Sequence, residues 1–286
     1  MADTIVVISV GEMGAGIGKR LSERGARILT SLKGRSSASV ARATQAGMQD
    51  TATDDELVQA DFILSVVPPG EAIALAERLK WPLIRSTRKP IYVDCNAIAP
   101  KTAQHVGDVL AATGCTYVDG GIIGGPPAGD YSPGIYVSGA NASKVKRLSA
   151  YGLNIRVIDG DIGAASALKM SYAGITKGVT AIGAALLLGA TRAGCAAELR
   201  QELSESQPQL LARFARQVPA AFPKAYRWVA EMEEIAAFLG DDPASRDMFL
   251  GISKLYARIA SGQDKTSPAA QAELESLLAF CAPPPA

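Results

Sequence analysis

The stretch VISVGEMGAGIG, residues 7–18, decides the fold of this chain. An apolar run leads into it and a helical pattern follows, as in the strand–loop–helix turn that binds dinucleotides. That turn reads G-x-G-x-x-G, but Ser9 occupies the first glycine position here, and only Gly11 and Gly14 are in register. A glycine-rich turn could serve helix packing alone. Its position between a strand and a helix favours a cofactor loop, with the phosphates on the helix N-terminus.

The composition is that of a folded protein with room for one large domain or two ordinary ones. The 286 residues are 48% hydrophobic and 20% charged, with a formal net charge of +1. No basic stripe indicates nucleic acid, and the four separated cysteines have no disulfide or zinc spacing. The single histidine, His105, lies among polar residues, which argues against Ser-His-Asp chemistry and histidine metal sites. We therefore expect no metal and, without a signal-peptide pattern, a cytoplasmic location.

The pattern changes near residue 161, which predicts two domains, 1–161 and 162–286. The first alternates helical segments with strand candidates at 4–9, 27–31, 62–67, 90–94, 116–118, 134–138 and 154–158. This alternation predicts a mainly parallel, Rossmann-type α/β sheet covered on both faces. The second domain is predicted to be all helical, joined by a long helix from about residue 163, with a frayed tail at CAPPPA. Within the helical part, residues 178–197 are apolar enough for a membrane span, but small residues and Arg192 favour a helix buried among others.

The turn LKGRSS, residues 32–37, follows the second predicted strand and bears on cofactor choice. An NAD site usually carries an acidic residue near this point, whereas this turn offers Lys33, Arg35 and Ser36. Cations and hydroxyls there favour the 2′-phosphate of NADP, although alone they would suit any solvated turn. The turn VPPGE, residues 67–71, ends another predicted strand, and its Val67 and Pro68 are expected to line the cofactor.

The chain resembles the β-hydroxyacid dehydrogenase and 6-phosphogluconate dehydrogenase superfamily along essentially its whole length. Its helical half is most similar to a subgroup of NAD(P)-dependent oxidoreductases with a phosphogluconate-dehydrogenase-type C-terminal domain. That likeness rests on GAASALKMSYAGITKG (163–178), SQPQLLARF (206–214) and PKAYRWVAEMEEIA (223–236). The resemblance implies hydride transfer with a nicotinamide cofactor, a small and acidic substrate, and a homodimer formed through the helical domain.

The family motifs carry over with departures. The loop GLGxMG matches residues 9–14, which adds Glu12 and Met13 to the expected cofactor contacts. The family segment that follows the fifth strand corresponds to residues 94–100, where Asn96 is expected near the nicotinamide. The motif D-A-P-V-S-G-G matches residues 119–125, with isoleucine at position 123 in place of the serine. The N–H groups of Gly124 and Gly125 are expected to bind a substrate carboxylate.

The catalytic lysine of the resemblance corresponds to Lys169, while Tyr172 and Ala173 replace its usual asparagine neighbours. Lys169 would be the general acid and base if burial or a cation lowers its pKa, and Tyr172 would hold it or the reacting oxygen. From the residues alone, a solvated lysine with its stem on apolar surface is the simpler interpretation. Lys224 and Arg227 are candidate anchors, which a partner subunit could supply, for an acidic substrate group. An Arg227–Glu231 ion pair on a solvated face is an equal alternative.

Three functions stay open. The first is an NADP-dependent dehydrogenase or reductase acting on a small hydroxy acid or its oxo form. The second is an imine reductase, which the Gly-Gly-Ile-Ile segment favours and Lys169 disfavours, because imine reductases typically replace that lysine. The third is a nucleotide-binding sensor without catalysis, which the lost serine and asparagines motivate.

Overall fold

The computed structural model describes residues 2–261 and 268–282. Of the tail predicted to be frayed, 281–286, Cys281 is the buried last residue of a helix, and 283–286 lie outside the described residues. Eight strands form one sheet: β1 (Thr4–Ile8), β2 (Arg27–Thr30), β3 (Met48–Asp50), β4 (Phe62–Ser65), β5 (Ile91–Asp94), β6 (Thr116–Ile123), β7 (Gly134–Ser138) and β8 (Asn154–Val157). Their spatial order is β3-β2-β1-β4-β5-β6-β7-β8. The first six strands follow the Rossmann order, which confirms the predicted fold class.

All neighbouring strands are parallel except β6 and β7, which pair antiparallel. Parallel strands are buried on both faces because their crossover helices cover the sheet. Those helices are α1 (Glu12–Glu23), α2 (Ser37–Gln45), α3 (Asp54–Leu57), α4 (Ala72–Arg85) and α5 (Pro100–Ala111). Alternate residues of β1 enter two separate cores, with Ile5 and Val7 in one and Val6 and Ile8 in the other.

The chain divides into two compact units, residues 1–170 and 171–286. The division lies inside α6 (Ala164–Ala193), the long helix expected to join the domains. The second unit continues with α7 (Ala196–Ser206), α8 (Pro208–Ala221), α9 (Ala225–Phe238), α10 (Pro243–Ser261) and α11 (Pro268–Cys281). Within the described ranges no strand follows β8, as the sequence predicts.

Helix α6 differs from the fully buried helix expected from the sequence. On one side its glycines admit large rings: a Cβ on Gly183 would overlap the ring of Phe214, and Gly178 faces Phe249. On the other side Ile175 and Leu186 are each 66% exposed. By length and composition α6 is the one helix of the described residues that could cross a membrane, and half of its most apolar stretch is buried within the protein.

Candidate functional site

The glycine loop, residues 9–14, keeps the backbone of a dinucleotide turn although its first glycine is lost. Ser9 has a φ of +124° and is the one non-glycine residue in the described chain with positive φ. L-residues avoid this region, which glycine enters freely. A Cβ on Gly14 would overlap the carbonyl oxygen of Ser9, so the third glycine is sterically required. The chain holds serine in a glycine conformation rather than reshaping the turn.

The first turn of α1 presents the phosphate-binding end expected of this loop. Gly11 is its N-cap and no side chain caps the helix, which leaves the first N–H groups for a ligand. Glu12 is exposed in this turn, and Met13 packs against the core. From α2, Arg42 donates to the carbonyl oxygen of Val10 at 2.7 Å, which ties the loop to the neighbouring corner.

That corner, between β2 and α2, holds more groups than its own turn supplies. Lys33, Arg35 and Ser36 are exposed there, and Ser36 caps α2 by accepting from the Ser39 N–H at 3.3 Å. Arg78 of α4 adds a cation: it bonds Ser31 Oγ at 3.0 Å and is also paired with a carboxylate from α3. Strand β3 adds Asp50, whose carboxylate accepts from the Leu32 N–H at 2.8 Å. The absence of carboxylates in the turn therefore does not extend to the folded corner.

Asn96 is a bridge between strand ends. Its side chain is 2% exposed. Its Oδ1 accepts from the Val67 N–H at 2.6 Å, and its Nδ2 donates to Ser65 Oγ at 2.8 Å. The amide expected near the nicotinamide is thus occupied in holding the β4 end, and it positions Val67 and the exposed Pro68. A contact of this amide with the nicotinamide remains a prediction.

Two carboxylates lie side by side in the ladder between β5 and β6, Asp94 opposite Asp119. Asp119 accepts four hydrogen bonds: from the N–H groups of Gly163 and Ser166, and from the hydroxyls of Ser138 and Ser166, at 2.6–3.1 Å. It therefore anchors the N-terminus of α6. Asp94 accepts the Asn96 N–H at 3.0 Å. Burial raises the pKa of Asp94 to about 7, and the charge of Asp119 adds to this effect.

Lys169 lies against the strand that carries the predicted substrate segment. A Cβ on Gly121 would be 2.8 Å from Lys169 Cβ and 3.1 Å from the carbonyl oxygen of Ala165. On β6, a Cβ on Gly120 would likewise meet the carbonyl oxygen of Asp94 at 2.8 Å. Gly121 therefore lets α6 pack directly on the backbone of β6, and the half-buried Lys169 is placed near the end of that strand.

Gly124 and Gly125 are exposed just beyond β6. Gly124 has a φ of +130°, a conformation that favours glycine, and a Cβ there would also displace the hydroxyl of Tyr131. The Gly125 N–H expected to bind a carboxylate donates instead to Tyr131 Oη at 3.2 Å. A residue that the sequence did not single out thus covers this part of the segment.

The candidate residues of the second unit are arranged differently from the sequence alternatives. Lys224 and Arg227 are exposed, and the guanidinium of Arg227 lies 5.9 Å from the ring centre of Tyr226. Glu231 is buried and forms an ion pair with Lys177 rather than lying on a solvated face. Tyr172, on α6, is 49% exposed. Substrate roles for these residues remain predictions.

A family model described as the NAD-binding domain of 6-phosphogluconate dehydrogenase matches residues 4–151, more than half of the chain. This chain belongs to that NAD-binding family. Residues 190–259 of this family member match a second model, a domain of unknown function, DUF1932. An uncharacterized 28.5 kDa protein of Methanothermus fervidus is 28% identical over 81% of the chain and 89% of its own length.

Solved structures share the fold. A conserved protein of unknown function, described as similar to 3-hydroxyacid dehydrogenases, is 27% identical with a TM-score of 0.69, covering 94% of this chain and 98% of its own. The Mycobacterium tuberculosis 3-hydroxyisobutyrate dehydrogenase solved with L-serine has 19% identity and a TM-score of 0.67, covering 97% and 99%. An imine reductase variant of Myxococcus stipitatus in complex with NAD⁺ has 19% identity and a TM-score of 0.57, covering 99% and 100%.

This family member is accordingly an NAD(P)-dependent oxidoreductase that uses a nicotinamide cofactor. The uncapped helix start, the glycine conformation of Ser9 and the tight contact at Gly14 fit such a cofactor. Among the described residues, no group of three or more His, Cys, Asp or Glu side chains is arranged to hold a metal.

Proposed function

We propose that this chain is an NADP-dependent oxidoreductase that interconverts a small hydroxy acid and its oxo acid, with Lys169 as the general acid and base. The observation that carries the proposal is the direct packing of Lys169 on Gly121 in β6. It brings the lysine beside the segment that leads to Gly124 and Gly125. The family match supplies the nicotinamide chemistry, and the lysine supplies a proton carrier beside it.

A bound nicotinamide supplies or accepts the hydride. The residues of this chain orient the substrate and move one proton. In oxidation, the Lys169 amine takes the proton of the substrate hydroxyl as the C–H bond breaks; in reduction, the ammonium returns a proton to the new alkoxide. The anchor at Asp119 supports this role, because its bonds to Gly163 and Ser166 fix the start of the helix that carries Lys169.

The first experiment replaces Lys169. Purified wild type and Lys169→Ala are assayed with a panel of 3-hydroxy acids and the corresponding oxo acids, by following the absorbance of reduced cofactor. We expect Lys169→Ala to lose at least about 100-fold in kcat/KM because the proton loses its carrier. Cofactor dissociation constants should stay unchanged. Lys144→Ala, which removes an exposed lysine of the same unit, is the matched control. Undiminished turnover by Lys169→Ala would remove the lysine from the mechanism.

The preference for NADP is supported by the cations of the corner, Lys33, Arg35 and Arg78. A counterargument is Asp50, because a carboxylate can bind the ribose diol of NAD. Calorimetric titration with NADPH and NADH decides between them. We expect Arg35→Ala to weaken NADPH binding about tenfold and NADH binding about twofold at most, because only NADPH carries the charged partner. Arg24→Ala, at the far end of α1, is the control. Equal losses for both cofactors would rule out a 2′-phosphate site.

A second candidate, an imine reductase, is favoured by one observation: β6 ends in the apolar pair Ile122–Ile123. The same assay with a cyclic imine in place of the oxo acids distinguishes it. Turnover of the imine with none of the acids would select this function. Tight cofactor binding without turnover of either class would select the nucleotide-binding sensor.

A homodimer through the helical unit is supported by the exposed face of α6. Tyr172, Ile175, Val179, Ile182 and Leu186 recur at alternating spacings of three and four, as in a helix seam. We propose a cytoplasmic dimer that covers this face, rather than a membrane span. Ile175→Glu combined with Leu186→Glu should give a soluble monomer in light scattering. Recovery of wild type in the membrane fraction would contradict the location, and an unchanged mass of the variant would contradict the interface.

A further inference from the structure

The chain between β6 and β7, residues 124–133, forms a closed turn. Ala128 and Tyr131 exchange backbone hydrogen bonds at 3.1 and 2.9 Å. Pro126 and Pro127 pack on α1, where a Cβ on Gly16 would meet each of them at 3.1 Å. The turn therefore has a defined shape, set by its own backbone and by the helix beneath it.

Arg20 of α1 holds this turn from below. The residue is 9% exposed, and its guanidinium donates to the carbonyl oxygens of Gly129 at 2.6 Å, Tyr131 at 3.1 Å and Gly152 at 3.4 Å. A buried cation is tolerated only where its donors are satisfied. Two of these bonds fix the turn, and the third ties Arg20 to Gly152, outside the turn. The backbone of Tyr131 is thus held independently of its side chain.

The Tyr131 side chain lies over Gly124 with its hydroxyl at the start of the turn. The residue is 51% exposed, and Oη accepts the Gly125 N–H at 3.2 Å. A phenol has one proton to donate besides the lone pairs that accept. Because the Gly125 bond uses a lone pair, the proton is directed to a ligand or to water. Ile123 beside it carries no polar side-chain atom, so the Tyr131 hydroxyl is a side-chain donor that residues 119–125 do not supply at this point.

We propose that the Tyr131 hydroxyl donates a hydrogen bond to the substrate carboxylate and makes the enzyme selective for acids. This proposal rests on the proposed function. The Tyr131 hydroxyl bonds Gly125, two residues beyond the end of β6, and β6 is the strand on which Lys169 packs. The lysine manages the reacting hydroxyl, and Tyr131 fixes the opposite end of a small acid. Because Arg20 already fixes the turn, removing the phenol oxygen tests recognition rather than folding.

The experiment is a calorimetric titration of the NADP⁺-saturated protein with 3-hydroxyisobutyrate, its methyl ester and L-serine. Wild type is compared with Tyr131→Phe and with Tyr136→Phe, in which the lost hydroxyl is one that accepts from Arg156 at 2.9 Å. We expect Tyr131→Phe to weaken 3-hydroxyisobutyrate or L-serine at least about tenfold, because a hydrogen bond to a charged group is lost. The ester should bind weakly to all three proteins. NADP⁺ binding and the Tyr136→Phe titrations should match wild type.

Kinetics supply the second readout. With an acid that turns over, Tyr131→Phe should raise KM about tenfold and leave kcat within about threefold, since the bond orients the bound acid rather than the proton. Unchanged or tighter acid binding by Tyr131→Phe would overturn the proposal, as would acid and ester binding equally well, or no acid binding by wild type. Turnover of acids that the Tyr131→Phe substitution does not alter would reject the role of Tyr131 and leave the proposed function supported. Acid binding weakened by Tyr131→Phe without any turnover would keep Tyr131 and reject the function.

Discussion

The glycine loop, residues 9–14, and the 119–125 segment have each lost a residue that the family resemblance expects, and they compensate in opposite ways. In the loop, Ser9 takes the backbone conformation of the missing glycine, with φ at +124°. In the segment, Ile123 leaves the hydroxyl missing, and Tyr131 brings another from a neighbouring turn. The comparison separates two kinds of sequence requirement. A backbone requirement persists at its position, whereas a side-chain requirement can be met from elsewhere.

The two regions also destabilise the folded state in different ways. In the loop, the positive φ of Ser9 is a backbone strain that typically costs about 1–3 kcal/mol. At the start of the segment, the unfavourable interaction is electrostatic, because Asp119 and Asp94 are buried carboxyl groups opposite each other. Substitutions at Gly14, Asp94 and Ser9 test this difference.

Replacing Gly14 should have the largest effect. Gly14→Ala would drive a methyl group into the Ser9 carbonyl oxygen, so the loop must shift. We expect cofactor affinity to fall at least about 100-fold and the free energy of unfolding to fall by about 3 kcal/mol. Gly11→Ala is the control for stability, since its Cβ would meet only Ser9 Oγ at an ordinary 3.5 Å. Calorimetry and urea unfolding measure both. Equal effects of the two substitutions would show that the loop does not depend on that contact.

Replacing Asp94 should change how stability depends on pH. In the folded state Asp94 keeps its proton up to a pKa of about 7, whereas the unfolded chain loses it near 4. Its stabilising contribution is therefore complete below about pH 4 and falls as pH rises to about 7, by a few kcal/mol in order of magnitude. Asp94→Asn cannot titrate, so its stability relative to wild type should increase between about pH 5 and pH 7.5. Urea unfolding at both pH values measures it.

Asp61 provides the control of opposite sign. Burial alone would raise the pKa of Asp61, but bonds from the Thr4 N–H and Arg88 outweigh it and the pKa is lowered. That stabilisation is present above about pH 4 and is lost only below it. The difference between Asp61→Asn and wild type should therefore stay constant from about pH 5 to pH 7.5. A constant difference for Asp94→Asn as well would show that Asp94 is ionised in the folded protein.

Restoring the lost glycine should have the smallest effect. Ser9→Gly relieves the positive φ and should raise the free energy of unfolding by about 1 kcal/mol, with cofactor affinity unchanged. Ser9→Ala keeps the unfavourable torsion and loses the contact from the Gly11 N–H at 3.3 Å, so it should not stabilise the protein. Thermal unfolding of the three proteins tests this. A Ser9→Gly protein no more stable than wild type would mean that serine sits in the turn without strain.

The sequence predicted the sheet well because most strands are apolar runs bounded by turn residues. Strand β3, Met48–Asp50, was missed, since three residues without a β-branched side chain give no periodic signal. Strand β6 continues to Ile123, well beyond the predicted end at 118, because its glycine pair reads as a turn. The exposed apolar face of α6 was also missed, since small and large apolar residues look alike until their neighbours are known.

The site was predictable where it depends on local motifs and unpredictable where distant residues meet. The positions of the glycine loop and of Lys169 came from sequence. The role of Arg20 did not, because an arginine in a helix normally indicates a solvated face, and its partners lie more than a hundred residues away. The same holds for Asp50, which reaches the corner between β2 and α2 from a neighbouring strand. A tyrosine in a turn likewise carries no signal of the amide that it meets.

The guanidinium of Arg20 has a consequence for altering this protein by design. The first helical turn of α1 follows the glycine loop. Two helical turns later, Arg20 of the same helix donates to the backbone of the loop that carries Tyr131. A longer turn taken from a relative would remove the carbonyl acceptors of Arg20 and leave its buried guanidinium without hydrogen bonds. Exchange of the whole loop between Gly124 and Pro133 should therefore yield insoluble protein. Single replacements at Tyr131 leave these hydrogen bonds intact, because Arg20 donates to backbone carbonyl oxygens. Libraries aimed at new substrates are therefore best confined to that one outward-facing position, with Arg20 kept constant.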